Sequence, residues 1–279
     1  MRGAVRQAIV GIIPELEGRV YDVYPPDGAV EPLFAVITLG EDVWKSSWAG
    51  YRQVFRLKLY ANPSELLQLD RWANQLIPGL HRKRVTGADE NSFKLHYLGV
   101  PEADKFDPST GKMIRIMRFG VYVPELSGAG FTGQPDEWLS ALAAWTGDVL
   151  GNSWSIYHTA WPAGRDDCAM LWRMTGCETR MAGASMVEVR KTFTGHIAAL
   201  DSGSEQLTAV RLVEELGTQV QLQLDSQNRR YASVVEIASD MQADPILDGQ
   251  LKLTLAQRKL RSPEEAALIR RVNIQPILK

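Results

Sequence analysis

The sequence predicts an α+β protein of two tandem small domains, each a mixed or antiparallel β-sheet packed against two helices. Three observations carry that expectation. The order helix, strand, strand, helix, strand, strand can be read twice along the 279 residues. The stretch YDVYPPDGAVEPLFAVITLG (21–40) returns without a gap as YHTAWPAGRDDCAMLWRMTG (157–176), sharing Tyr21/Tyr157, Pro26/Pro162, Gly28/Gly164 and Gly40/Gly176. Between the copies, PELSGAGFTGQP (124–135) is rich in glycine, serine and proline with little to bury, a linker composition. The expected division is a first domain at 1–124, a linker at 125–134, a second, diverged copy at 135–261, and a C-terminal helix and tail at 262–279.

Val5, Ile9 and Ile12 lie four and three apart, one face of a helix, and Pro14 ends the run. The strand LFAVITL follows, then a polar loop, EDVWKSSWAGYR. From Tyr51 a second strand alternates Val54, Arg56 and Lys58 with Phe55, Leu57 and Leu59, which buries one face. Asn62-Pro63-Ser64-Glu65 joins a capping residue, a first-turn proline and a glutamate three positions on. Leu66, Leu69, Ala73 and Leu76 give that helix its apolar face, and Phe93–Leu98 and Ile114–Val123 are the closing strands.

The second half opens with Pro135-Asp136-Glu137, a proline and two acids at the positive end of a helix. Trp138, Leu142, Trp145 and Val149 line one face, and Gly151 closes it. The strand AMLWRMT, a loop CETRMAGASM and a strand from Val189 follow, with Arg52/Arg190, Phe55/Phe193 and Leu59/Ile197 as matching landmarks. Ser202-Gly203-Ser204-Glu205 repeats the cap and the glutamate, and Leu207, Val210, Val213 and Leu216 supply the helix face. Tyr231–Ile237 and Gly249–Leu255 close the half, with a further strand at VQLQL from Val220. The offset between matched positions drifts from 136 to 140, as small loop insertions produce, so the halves read as an internal duplication.

Hydrophobic content of 45% and charged content of 23% are those of a globular chain, and a formal net charge of −2 gives no global pull toward nucleic acid or anionic membrane. Residues 1–124 carry 16 Lys/Arg against 14 Asp/Glu, and residues 125–279 carry 15 against 19, leaving the halves at +2 and −4. The signs suit a contact between the halves, but a difference this small is within ordinary scatter. Cys168 and Cys177 read as two small buried residues in a reduced cytosol. No apolar run approaches the ~18 residues that cross a bilayer, so no membrane partner is expected. The N-terminus reads as a mature, cytoplasmic one.

Gly128-Ala129-Gly130-Phe131-Thr132-Gly133 matches a dinucleotide-binding fingerprint. Pro124–Ser127 separate it from the preceding strand, Asp136 and Glu137 would face the phosphates, and no ribose-holding acid follows, so it reads as linker. His81, His96, His158 and His196 show no metal-ligand spacing and read as surface or partly buried residues. His158 with Asp166 and Asp167 is the one imaginable acid/base set, and no nucleophile accompanies it. No catalytic residue, cofactor or metal is therefore assigned, and the chain reads as no enzyme; a small-molecule enzyme with a site between the domains is the remote alternative. His81-Arg82-Lys83-Arg84 is a tight basic cluster, suited to phosphates or an acidic partner and more commonly a solvated loop after a helix. Trp44 and Trp48, in the first polar loop, are candidate interface anchors or self-packed residues. With Arg52, these clusters and the Asp166-Asp167 pair are the interaction candidates.

An N-terminal amphipathic helix, the entry GRVYDVYPPDGAVEPLFAVITLGED, the strand YRQVFRLKLYA, a capped helix and the final strand IRIMRFGVYV occur in an order that resembles the tail terminator, or tail completion, proteins of tailed bacteriophages and contractile particles. The resemblance covers roughly residues 2–124. It implies a small α+β fold without cofactor or catalytic residues. It also implies a structural role: a six-fold ring on the head-proximal end of the tail tube that stops tube polymerisation and docks the head or neck. The implied partners are other copies of the chain, the tail tube protein, and a neck, head-connector or sheath protein, with DNA passing the ring lumen. The implied locations are the host cytoplasm during assembly and the virion tail. Six chains could assemble through the first copy, or three two-domain chains could supply six domains; the divergence of the second copy tilts toward six. Asp89-Glu90 and Asp166-Asp167 are the candidates for lumen-facing acids. A neck or head–tail joining protein is the alternative within the same class.

Overall fold

Alternating strands with one apolar face can bury that face only against another layer, and each half of the chain supplies a helix before and a helix after its first long hairpin. The computed structural model describes residues 1–23, 33–46, 50–87, 92–123, 136–162, 166–225 and 227–261. The first half runs α1 (Arg2–Ile12), β1 (Val20–Asp22), β2 (Phe34–Ser46), β3 (Gly50–Ala61), α2 (Leu66–Leu80), β4 (Arg84–Thr86), β5 (Ser92–Tyr97), β6 (Lys105–Asp107) and β7 (Lys112–Val123). The second runs α3 (Glu137–Leu150), β8 (Ser155–His158), β9 (Ala169–Met181), β10 (Met186–Ala198), α4 (Ser202–Thr218), β11 (Gln221–Asp225), β12 (Arg230–Ser239) and β13 (Leu251–Leu260).

The sheets have the same path. The first is ordered β1-β2-β3-β7-β5-β4, with β6 added beside β7, and the second is ordered β8-β9-β10-β13-β12-β11. In each, the first pair is parallel and the rest are antiparallel. One irregularity of the hairpins also corresponds. Leu39 faces Phe55 and Met174 faces Phe193, and in both hairpins the register slips immediately afterwards, beside Gly40 and near Gly176. The fold is α+β in two tandem domains, as the helix and strand order predicts.

Each core lies between the helices and one sheet face. Ile9, Ile13, Leu69, Trp72 and Leu76 pack on Phe55, Leu59 and Phe119 in the first domain. Trp138, Leu142, Leu212 and Leu216 pack on Met170, Trp172, Phe193 and Leu253 in the second. Trp172 is wholly buried, and its Nε1 donates to Thr146 Oγ1 at 2.8 Å. That hydroxyl donates in turn to the Leu142 carbonyl at 2.7 Å, so no polar atom of the pair is stranded.

Several expectations fail for physical reasons. The stretches read as polar loops are the distal arms of two long hairpins, since β2 continues to Ser46 and β9 to Met181. From Met174 to Met181 no side chain of the second hairpin's outgoing arm is buried, so the alternation that marks a strand is lost there. On α4 the buried side is Ala209, Leu212 and Leu216, while Leu207 and Val210 are exposed. Leu66 likewise faces out and Trp72 in. The α4 cap is Asp201, accepting from the Ser204 amide at 2.9 Å, not Ser202. Cys168 is half-buried and Cys177 exposed, and His196 is fully buried rather than near the surface. The linker Gly128–Gly133, Asp89, Glu90, Trp48 and the tail 262–279 lie outside the described residues, and Trp44 is described by its backbone, paired with Tyr51. Among the described residues no helix is long and apolar enough to cross a membrane.

Candidate functional site

The basic run 81–84 is a turn that leads into a strand, and only part of it is given over to solvent. Helix α2 stops at Leu80, and Arg82 takes a left-handed backbone (φ 60) that costs an L-residue about 1–2 kcal/mol. The turn is held by Arg82 N donating to the Leu95 carbonyl at 2.6 Å and by Tyr97 N donating to His81 Nδ1 at 3.0 Å. It sends the chain directly into β4. There Val85 points into the core, so Arg84 faces the other way, and register places Lys94 of β5 opposite Arg84. Arg52 lies on the same outer face, from β3. Beside it Gly120 has no side chain, and a Cβ there would sit 2.7 Å from Arg52 Cδ. The glycine leaves the guanidinium its path.

These cations meet acids of the second domain. Arg82 Nη2 donates to Glu205 Oε2 at 2.9 Å, and Nη1 lies 2.8 Å from Oε1. Arg84 and Lys94 share Asp167 Oδ1 at 2.9 and 2.8 Å. Arg52 pairs with Asp244. Tyr122, at the end of β7, packs on a cluster of Trp161, Ala169, Leu171, Ala198 and Ile246 on the outer face of the second sheet. In each of these ion pairs the cation comes from the first half and the anion from the second. The +2 and −4 imbalance that composition alone assigns to scatter is therefore spatially organised.

The pairs differ in worth. Arg84 and Asp167 keep 34% and 48% of their side-chain exposure, so solvent screens that contact to under about 1 kcal/mol. Arg82 and Glu205 keep only 18% and 11%. Glu205 is fixed from its own side as well, its Oε1 accepting from the Ala199 amide at 3.2 Å. Asp244 sits in a turn where its Oδ1 accepts from the amides of Ile246 and Leu247 at 2.9 and 3.0 Å. Lys94 first and Arg84 second hold the Asp167 carboxyl below the usual range. Burial works to raise Asp244, but the Arg52 contact and the turn amides outweigh it and leave it lowered.

Behind Asp244 lies a buried basic pair. Arg173 Nε donates to His196 Nε2 at 2.7 Å, so Nδ1 carries the proton and donates to the Pro245 carbonyl at 3.0 Å. Burial, with Arg173 second, lowers His196 to about 4, and burial lowers Arg173 to about 10. The histidine is neutral at pH 7 and props the Asp244–Leu247 turn.

Of the candidates named from sequence, Arg52, Arg82, Arg84 and Asp167 converge on this joint. His81 borders it, half-buried, with its pKa lowered by burial and then by Arg82. Lys83 points to solvent. Asp166 turns aside, accepting from Ser155 Oγ at 2.5 Å and Tyr157 OH at 3.2 Å. Asp167 is engaged by two cations, and no contact to either aspartate comes from exposed His158 among the described residues. Among the described residues no group of three His, Cys, Asp or Glu is placed to hold a metal. The roles of Lys94, Tyr122, Glu205, Asp244 and the Arg173–His196 pair at this joint carry no sequence signal, because their partners lie far away in the chain.

No protein-family model matches the chain, and no curated protein matches it in sequence. Among solved structures, a chain of the "Virion of native gene transfer agent (GTA) particle" is similar over 44% of this chain and 96% of its own length, at 16% identity and a TM-score of 0.33. A likeness that slight decides nothing about function, which has to be read from the molecule's own geometry and sequence.

Proposed function

We propose that the protein is a ring-forming structural component of a phage-like particle, seated on the head-proximal end of a tail tube, where it ends tube growth and offers a docking surface to the head or neck. The observation that supports this best is the joint. Two domains of one topology meet through unlike surfaces, cations on one and acids on the other. A contact between unlike surfaces of like units generates a closed ring when its rotation closes. The place on the tail comes from the resemblance of residues 2–124 to tail terminators. The charged groups of the joint are occupied with one another, as befits a holding surface. Negative-stain images of the purified protein should show annuli, and tubes assembled with it should be shorter and capped at one end. Isolated single chains in the images, with tube lengths unaltered, would sink the proposal.

A further inference from the structure

The surface by which the first domain grips the second has a counterpart on the second domain, and there it is open. Register defines the correspondence. Phe55 faces Phe119 and Phe193 faces Leu253, so Arg52 and Tyr122, a facing pair, correspond to Arg190 and Ala256. Continuing across the sheet, the facing pair Arg84 and Lys94 corresponds to Gln221 and Ser233. Arg190, Gln221, Ser233 and Ala256 all line one open groove of about 660 Å³. Around them stand Arg229, Arg230 and Arg258, so the groove holds four guanidinium groups, counting Arg190. Against them stand Glu188, which meets Arg190 at 2.7 Å and Arg258 at 3.6 Å, and Glu137, which meets Arg230. Positive charge is in excess, and the groove also carries exposed Tyr231 and Val235.

The acids seated inside the chain have counterparts too. Glu205, in the first turn of α4, corresponds to Glu65 just before α2. Asp244, in the β12–β13 connection, corresponds to the β5–β7 connection, which carries Glu102, Asp104 and Asp107 beside exposed Phe106. Asp104 is held by Arg115, and Glu102 pairs with Lys105 at 3.0 Å on the surface; Asp107 accepts from Ser109 and Thr110 and lies near Lys105. The counterpart of Asp167 lies outside the described residues.

We infer that the groove seats the Glu65 and β5–β7 end of the first domain of a second copy, so that the contact made once within each chain is made again between chains. This rests on the ring reading and names the surface that closes the ring. Each chain then fills two successive domain positions of the ring. The charges are complementary, and the groove is the register equivalent of an interface already formed in the same molecule.

The test is complementation between two full-length variants. One, Arg229→Ala/Arg258→Ala, removes the groove's charge; the other, Glu65→Ala/Glu102→Ala, removes that of the acidic end, and neither creates a reversed pair that could attract. Light scattering should find a closed oligomer for the natural chain and 31.1 kDa monomers for each variant alone. An equimolar mixture should form a two-chain species and nothing larger, since one intact groove then meets one intact acidic end. The mixture also guards against misfolding, because a misfolded variant has nothing to complement. Annuli that persist in the groove variant overturn this inference and leave the ring reading standing on another surface. A mixture that stays monomeric overturns it as well. A natural chain that is itself monomeric overturns the ring reading.

Discussion

Taking apart the Arg82–Glu205 pair measures how firmly the domains are joined. A hydrogen bond to a charged group contributes about 1.5–3 kcal/mol. Breaking a fully buried pair costs about 3–5 kcal/mol, because the remaining charge is stranded. Here the side chains keep 18% and 11% of their exposure, so some screening remains, and Glu205→Ala should cost about 2–3 kcal/mol. Arg82→Ala should cost less, about 1–2 kcal/mol, because Glu205 still accepts from the Ala199 amide. Arg82→Gly separates the side chain from the backbone, since glycine adopts φ 60 without strain. The double variant should fall short of the sum of the singles by about 1–2 kcal/mol. Urea unfolding followed by tryptophan fluorescence gives all four corners of the cycle. Weakening the joint should also split one transition into two, one per domain. A coupling below about 0.5 kcal/mol, with unfolding still a single step, would refute the view that these residues hold the domains together.

Acid should loosen the same region. His196 has a folded pKa of about 4 against 6.5 unfolded, so between those values the unfolded chain binds a proton that the folded chain does not. Stability is then complete above pH 6.5 and falls by up to about 3 kcal/mol as pH drops to 4; denaturant melts across that range should show the slope, and His196→Gln should flatten it. Thr146→Val leaves the buried Trp172 Nε1 without its acceptor and should cost about 1–3 kcal/mol, while Thr146→Ser should lose clearly less; equal losses in thermal melts would contradict the hydrogen-bond account. Gly120→Val should displace Arg52 and cost about 1–3 kcal/mol, and Asp244→Asn should add little in that background; additive losses would mean that Arg52 reaches Asp244 by another path.

What the sequence discloses is what repeats over short distances. The α1 spacing, the acids opening α3, the glycine closing it and the matched Phe55 and Phe193 strands are local patterns, and the structure has them all. The distal part of the second hairpin's outgoing arm is hidden because neither face is buried, so nothing forces Glu178, Thr179 and Arg180 to alternate. The phase of α4 is hidden because Ala209 is small enough for the close approach, while the larger Leu207 and Val210 remain outside. The joint is the hardest part to see. Arg82 and Glu205 are 123 residues apart, and neither carries any mark of the other. Only the opposite signs of the two halves point toward it, and a few charges are too few to separate from chance.

The segment 124–135 ties the two halves of the joint together, and the tie decides the order of events. Units carried on one chain meet at an effective concentration well above that of separate molecules. Free chains in a cell meet at far lower concentrations, so the contact inside each molecule forms first and stays formed. If the protein closes into a ring as proposed, what diffuses to the growing assembly is a pre-paired unit with one socket and one plug, which reduces the number of slow encounters.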